Sequence, residues 1–148
     1  MRVAVSMVVL LAGLAATPLA LAQGETYMPA LGDIMNTIQA RHIKLWFAGR
    51  LKNWDLASYE LEQIRQGLEN SATLYSGIPA EYVGATVDPI KEIGAAVKAK
   101  DDARFTKAYG ALTSACNACH QGIARGFIVI QVPGTSPFSD QSFAPPKQ

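Results

Sequence analysis

The chain has 148 residues and a formal net charge of +1, so its length predicts a single domain without a strong electrostatic bias. Hydrophobic residues make up 49% of it, which is enough for a buried core. Basic residues do not cluster with aromatic ones, which argues against a nucleic-acid partner.

The N-terminal stretch has the pattern of a secretory signal peptide. A basic residue at position 2 is followed by residues 3–22, which carry no charge and end in the small-residue pattern Ala-Leu-Ala. The stretch is about as long as a membrane span, but Gly13 and Pro18 interrupt it, which favours cleavage before Gln23 over a membrane anchor. We expect residues 1–22 to be a signal peptide and the mature chain to be periplasmic, with no membrane contact after cleavage.

Four later stretches repeat apolar residues at spacings of three and four, the pattern of amphipathic helices. We expect helices over residues 29–48, 54–76 and 88–100, with a possible separate piece over 80–86, and a fourth helix that starts after a cap at Asp101 or Asp102. Asn53 is the expected cap of the second helix, and Gly126 the expected left-handed residue after the fourth. Short links between such helices predict an all-α, antiparallel four-helix bundle over residues 23–126.

Residues 127–148 have a different character. An apolar run over 127–130 precedes a segment rich in proline, which argues against a helix. Because that run is too hydrophobic to leave in water, we expect a non-helical, extended C-terminal tail that packs on the bundle.

The chemistry of the chain centres on Cys116-Asn117-Ala118-Cys119-His120, which reads C-x-x-C-H, the attachment signature of c-type haem. On a helix these three side chains leave from one face, so the two thiols can form thioethers with one covalent haem c while His120 binds its iron. Two alternatives are a C-x-x-C disulfide or dithiol site and a zinc site. The first normally accompanies a βαβ pattern, and the second needs four ligands, whereas His42 is the only other histidine.

A C-x-x-C-H motif near the end of the last helix of a bundle resembles the cytochrome c′ family and its low-spin four-helix-bundle relatives. The likeness covers the predicted bundle but not the tail, and it depends on the motif and its placement. It implies redox proteins as partners and a possible homodimer through the first two helices. The family usually carries a basic residue four positions after the haem histidine. Here Ala124 occupies that position and Arg125 follows it, so the chain departs from the family at this point.

The resemblance also implies that the second axial position faces the early turns of helix one, with methionine in low-spin members and an apolar residue in cytochromes c′. Helix one offers Met35 and His42, about 10.5 Å apart along the axis, so only one can reach the iron. The early turns of helix one lie beside the late turns of helix four in an antiparallel pair, which favours Met35 as distal ligand. His42 remains the alternative, and Met28 or no protein ligand are further candidates.

Two axial ligands would suit a periplasmic electron carrier that cycles between Fe(III) and Fe(II). An open iron would instead predict a cytochrome c′-type protein that binds NO or CO. No catalytic grouping or phosphate loop stands out, so we expect no enzymatic activity. The large aromatic residues Trp46, Trp54 and Tyr109 are predicted to pack in the bundle. The candidate partners of the haem propionates are Arg41, Lys44 and Arg125.

Overall fold

The computed structural model describes residues 27–147, which contain four α-helices and no β-strand. The helices are α1 (Leu31–Arg50), α2 (Trp54–Leu74), α3 (Ala80–Ala99) and α4 (Asp102–Gly122). α1 packs closely on α2 and α3 on α4, whereas α1 and α4 approach each other at few positions. The predicted all-α, antiparallel four-helix bundle is therefore confirmed. None of these helices is long and apolar enough to cross a membrane. The predicted signal peptide lies outside the described residues.

Two helices begin at the side-chain caps that the sequence predicts. The Asn53 side chain accepts the N–H of Leu56 at the start of α2, and the Asp101 side chain accepts the N–H of Arg104 at the start of α4. Each cap satisfies a backbone donor that has no partner within its own helix. Only residues 51–53 connect α1 to α2, and this short link holds the two helices in a tight antiparallel pair.

α3 differs from its prediction because it runs as one helix through Pro89. A proline in a helix removes the hydrogen bond to the carbonyl four residues earlier, here that of Ala85, which is exposed and open to water. The buried face continues across the interruption, with Thr86 before the proline and Ile90 and Ile93 after it. Burial of that continuous face outweighs the local preference for a helix boundary.

The end of α4 also differs from its prediction. The left-handed residue is Ala124, with φ 57°, and not Gly126. Such a conformation costs an alanine roughly 1 kcal/mol, and hydrogen bonds from the Arg125 N–H to the His120 carbonyl (2.7 Å) and from the Ala124 N–H to that of Gln121 (3.2 Å) offset the cost. The chain therefore reverses direction directly after His120 and returns alongside α4.

The bundle has two unlike halves. The half around the end of α1 and the start of α4 is filled by aromatic rings, with Trp46 4.8 Å from Tyr109 and Trp54 6.1 Å from Phe105 between ring centroids. Phe105 lies directly against Gly49, where any Cβ atom would overlap its ring. The predicted packing roles of the two tryptophans and Tyr109 agree with this arrangement. The opposite half contains a cavity.

Candidate functional site

A cavity of about 350 Å³ occupies the half of the bundle formed by the start of α1 and the end of α4. This volume is within the range of sites that bind small molecules and cofactors. All four helices and the segment after α4 contribute to the walls, which are mostly apolar. The principal lining residues are Leu31, Met35, Ile38 and His42 of α1, Ile64 and Leu68 of α2, Tyr82, Val83 and Thr86 of α3, Leu112, Cys116, Cys119 and His120 of α4, and Ile128 and Ile130 beyond it.

Cys116 and Cys119 both line this cavity as free thiols on one face of α4. Burial, reinforced by the neighbouring Cys119, raises the pKa of the Cys116 thiol to about 11, and burial also raises the pKa of Cys119. Both groups are therefore protonated near neutral pH, unlike the thiols of reactive dithiol sites, whose pKa is lowered. Within residues 27–147 no three His, Cys, Asp or Glu side chains converge on a metal-sized site, so a closed zinc site has no ligand set there.

His120 lies on the cavity wall beside the two cysteines, and its ring orientation is fixed by a backbone contact. Nδ1 is 2.9 Å from the carbonyl oxygen of Ile128. Because a carbonyl can only accept, Nδ1 is the donor in this contact, which leaves Nε2 as the ring nitrogen that could bind a metal. A histidine that donates its other N–H to a carbonyl is the usual arrangement at metal sites.

Met35 lies half-buried on α1 and lines the same cavity as the three motif residues. The structure thus brings the predicted distal ligand and the C-x-x-C-H motif to the walls of one space. Met28 precedes α1, is 58% exposed and is not among the lining residues.

His42 also lines the cavity, but both of its ring nitrogens have protein partners. Nδ1 lies 2.8 Å from the Tyr109 hydroxyl and Nε2 lies 2.9 Å from Oγ1 of Thr113. The Thr113 hydroxyl donates to the Tyr109 carbonyl at 3.0 Å, so its oxygen is left to accept from Nε2–H. Burial lowers the pKa of His42 to about 4, so the ring is neutral. An iron bond to His42 would require one of these contacts to break.

Three cationic side chains were candidates for the haem propionates, and they lie in different surroundings. Arg125 lines the cavity. Arg41 forms an ion pair of 3.1 Å with Glu60, and the Lys44 ammonium lies 4.6 Å above the Phe138 ring. Of these three, only Arg125 is at the cavity.

The segment that follows α4, residues 123–132, contributes to the cavity wall, and we call it the strap. Its apolar residues alternate: Ile128, which remains 42% exposed, and Ile130 line the cavity, whereas Phe127 and Val129 do not line it and are 80% and 64% exposed. The tail was expected to pack on the bundle, and within the run 127–130 the residues at the cavity are Ile128 and Ile130. A period of two is typical of an extended chain. In the sequence, the apolar run 127–130 was the feature that indicated contact between this segment and the bundle.

Farther along, the tail is attached to the other end of the bundle. Phe143 is buried against Phe47 of α1, with ring centroids 5.8 Å apart, and the Asn53 side chain donates to the Ala144 carbonyl at 3.2 Å. The segment after α4 thus contacts the bundle at both ends.

The donor set in the cavity fits a covalently attached haem. Two protonated thiols line the wall where thioethers would form, the imidazole of His120 uses Nδ1 for a backbone contact and leaves Nε2 for a metal, and α1 adds a thioether sulfur. The remaining walls are mostly apolar, which suits a porphyrin. Compared with known proteins, the chain matches no family model, no curated protein and no solved structure.

Proposed function

We propose that this protein is a periplasmic mono-haem c-type cytochrome that transfers electrons. Its haem would be attached through Cys116 and Cys119, with His120 as proximal and Met35 as distal iron ligand. The observation that carries the proposal is that these four residues line one mostly apolar cavity. Export through residues 1–22 is part of the proposal, because haem attachment to C-x-x-C-H belongs to exported chains.

Each residue has a definite task in this proposal. Cys116 and Cys119, one turn apart on α4, would hold the haem against that helix. The hydrogen bond from His120 Nδ1–H to the Ile128 carbonyl would leave Nε2 as the nitrogen that binds the iron. Bound haem supplies a one-electron Fe(III)/Fe(II) couple.

Met35 supports an electron carrier over a gas-binding protein. A thioether is a soft donor that favours Fe(II), and opposite histidine it raises the reduction potential. His42, the other candidate, has its nitrogens engaged with Tyr109 and Thr113. The mostly apolar walls would limit the contact of the haem with water and so the solvent reorganisation that accompanies electron transfer. An unidentified redox protein would exchange electrons at the exposed edge of the porphyrin.

The test is expression of the full chain in a periplasm together with haem-ligation genes. We expect a haem-stained band after denaturing electrophoresis, and sharp reduced α and β absorption bands that CO does not shift. A Cys116→Ala, Cys119→Ala double variant is the control and should lack the stained band.

Two results would contradict the proposal in different ways. A broad high-spin Soret band that moves with CO would favour the cytochrome c′-type alternative that binds NO or CO. The absence of covalent haem from the wild-type chain would remove the haem function altogether.

A further inference from the structure

The strap returns along α4 in a register set by one side chain. The Ile130 N–H donates to Oδ1 of Asn117 at 2.7 Å, and the Asn117 amide donates to the Ile130 carbonyl at 2.8 Å. Asn117 lies between the two cysteines of the motif, and Ile130 lies two residues beyond the carbonyl that accepts from His120. α4 and the strap are thus joined by two adjacent contacts. Asn117 pairs with Ile130, and His120 pairs with Ile128.

Asparagine has the chemistry that this pairing needs. Its amide offers one acceptor and a donor in a fixed plane, which together match the N–H and C=O of a single backbone residue. Aspartate would offer only acceptors, and alanine would leave both Ile130 groups without these partners. Because both contacts are part-buried, their loss is not fully compensated by water.

We infer that Asn117 is a positioning residue of the haem site: by holding Ile130 it keeps the Ile128 carbonyl against Nδ1 of His120. The inference rests on the proposed haem function. It gives the strap a task on the proximal side of the iron, where it fixes the rotation of the His120 ring and increases its electron donation.

The expected electronic effect has a definite sign. A histidine that donates Nδ1–H to a carbonyl is a more basic ligand at Nε2. A more basic axial ligand stabilises Fe(III) and lowers the reduction potential. Releasing the strap should therefore raise the midpoint potential and expose the His120 Nδ1–H to solvent.

Two variants of the holoprotein remove the pairing from opposite sides. Asn117→Ala deletes the amide, and Ile130→Pro deletes the N–H without changing the motif. Ser114→Ala is the control on α4, because the exposed Ser114 hydroxyl bonds only to the Gly110 carbonyl of its own helix. Val132→Pro is the control in the strap, because the Val132 N–H has no backbone hydrogen bond within residues 27–147.

Potentiometric titration and proton NMR of the His120 Nδ1–H provide the readouts. In Asn117→Ala and Ile130→Pro we expect a more positive midpoint potential and exchange of this proton faster by roughly tenfold or more, with both controls at wild-type values. If haem-loaded Asn117→Ala or Ile130→Pro keeps the wild-type midpoint potential and the wild-type exchange rate of the His120 Nδ1–H, this inference is overturned and the proposed function is left intact. If one variant does not accumulate, the other decides. Wild-type protein without covalent haem would overturn both.

Discussion

His42 and Tyr109 are joined by two polar contacts: the Tyr109 hydroxyl lies 2.8 Å from Nδ1 of His42 and 2.8 Å from its carbonyl oxygen. Their rings also lie 4.5 Å apart between centroids. Together with Thr113 the two residues form a buried polar layer between the aromatic half of the bundle and the cavity. This layer gives His42 a structural task, which separates its expected behaviour from that of Met35.

Substitution of the two candidate distal residues should have different consequences. Met35→Ala removes the proposed sixth ligand, so the holoprotein should change to a high-spin spectrum that shifts with CO. His42→Ala should keep the low-spin spectrum but destabilise the fold by roughly 2 kcal/mol, because it removes a buried ring and its hydrogen bonds with the hydroxyls of Tyr109 and Thr113. Absorption spectra with and without CO, and denaturant titrations, measure the two effects. A low-spin spectrum in Met35→Ala together with a high-spin, CO-sensitive spectrum in His42→Ala would instead identify His42 as the ligand.

His42 should also make stability depend on pH. Burial lowers its pKa from 6.5 to about 4, so the folded state rejects a proton that the unfolded chain binds. The resulting stabilisation is complete above about pH 6.5 and is lost as the pH falls towards 4, in total roughly 3 kcal/mol. The free energy of unfolding at pH 7 and 4.5 should therefore differ more in the wild type than in His42→Gln. Equal differences would show that His42 does not titrate as described.

Phe143 should hold the end of the tail on the bundle. It is 6% exposed and packs against Phe47 and Phe138. Phe143→Ala should cost roughly 3 kcal/mol of local stability, and limited proteolysis should then cut within residues 134–147. Phe127→Ala is the matched control, because Phe127 is 80% exposed and its loss should change stability by less than about 0.5 kcal/mol. Equal protease resistance of both variants would contradict the packing role.

The ion pair between Arg41 and Glu60 links α1 to α2 around a carboxylate that is 1% exposed. Arg41→Met leaves that carboxylate buried without its partner, which should destabilise the fold by roughly 3 kcal/mol at pH 7. The double variant with Glu60→Met should recover part of this loss, because no buried charge remains. Chemical denaturation of the single and double variants measures the difference.

A surface pair serves as the control for this prediction. Arg65 forms ion pairs with Glu62 and Glu69 on the exposed side of α2. Arg65→Met should therefore cost less than about 1 kcal/mol. A loss as large as that of Arg41→Met would mean that burial of Glu60 does not determine the effect.

The sequence predicted the bundle because its signals are local and repeated. Apolar spacing defined four helices, and Asn53 and Asp101 act as caps through their own side chains. Pro89 was wrongly predicted to mark a helix boundary. The preference of proline for the first turn of a helix is a local rule, and it does not take into account that Ile90 and Ile93 are buried on the same face as Thr86.

The strap could not be predicted in the same way. Asn117 bonds to backbone atoms of Ile130, which every residue type except proline offers in full, so no sequence pattern marks the pairing. The left-handed turn falls on Ala124, where glycine would be expected, because hydrogen bonds at the end of α4 compensate its strain. The cavity residues of the C-x-x-C-H motif were recognisable because their spacing has a chemical reason.

The unlike halves of the bundle make this chain suitable for redesign. Since the aromatic half provides much of the tight packing, we expect that the half-buried side chain at position 35 on the α1 wall can be exchanged with little loss of stability. A set of variants at position 35 would then present different ligand side chains, or none, to a bound iron within the same fold.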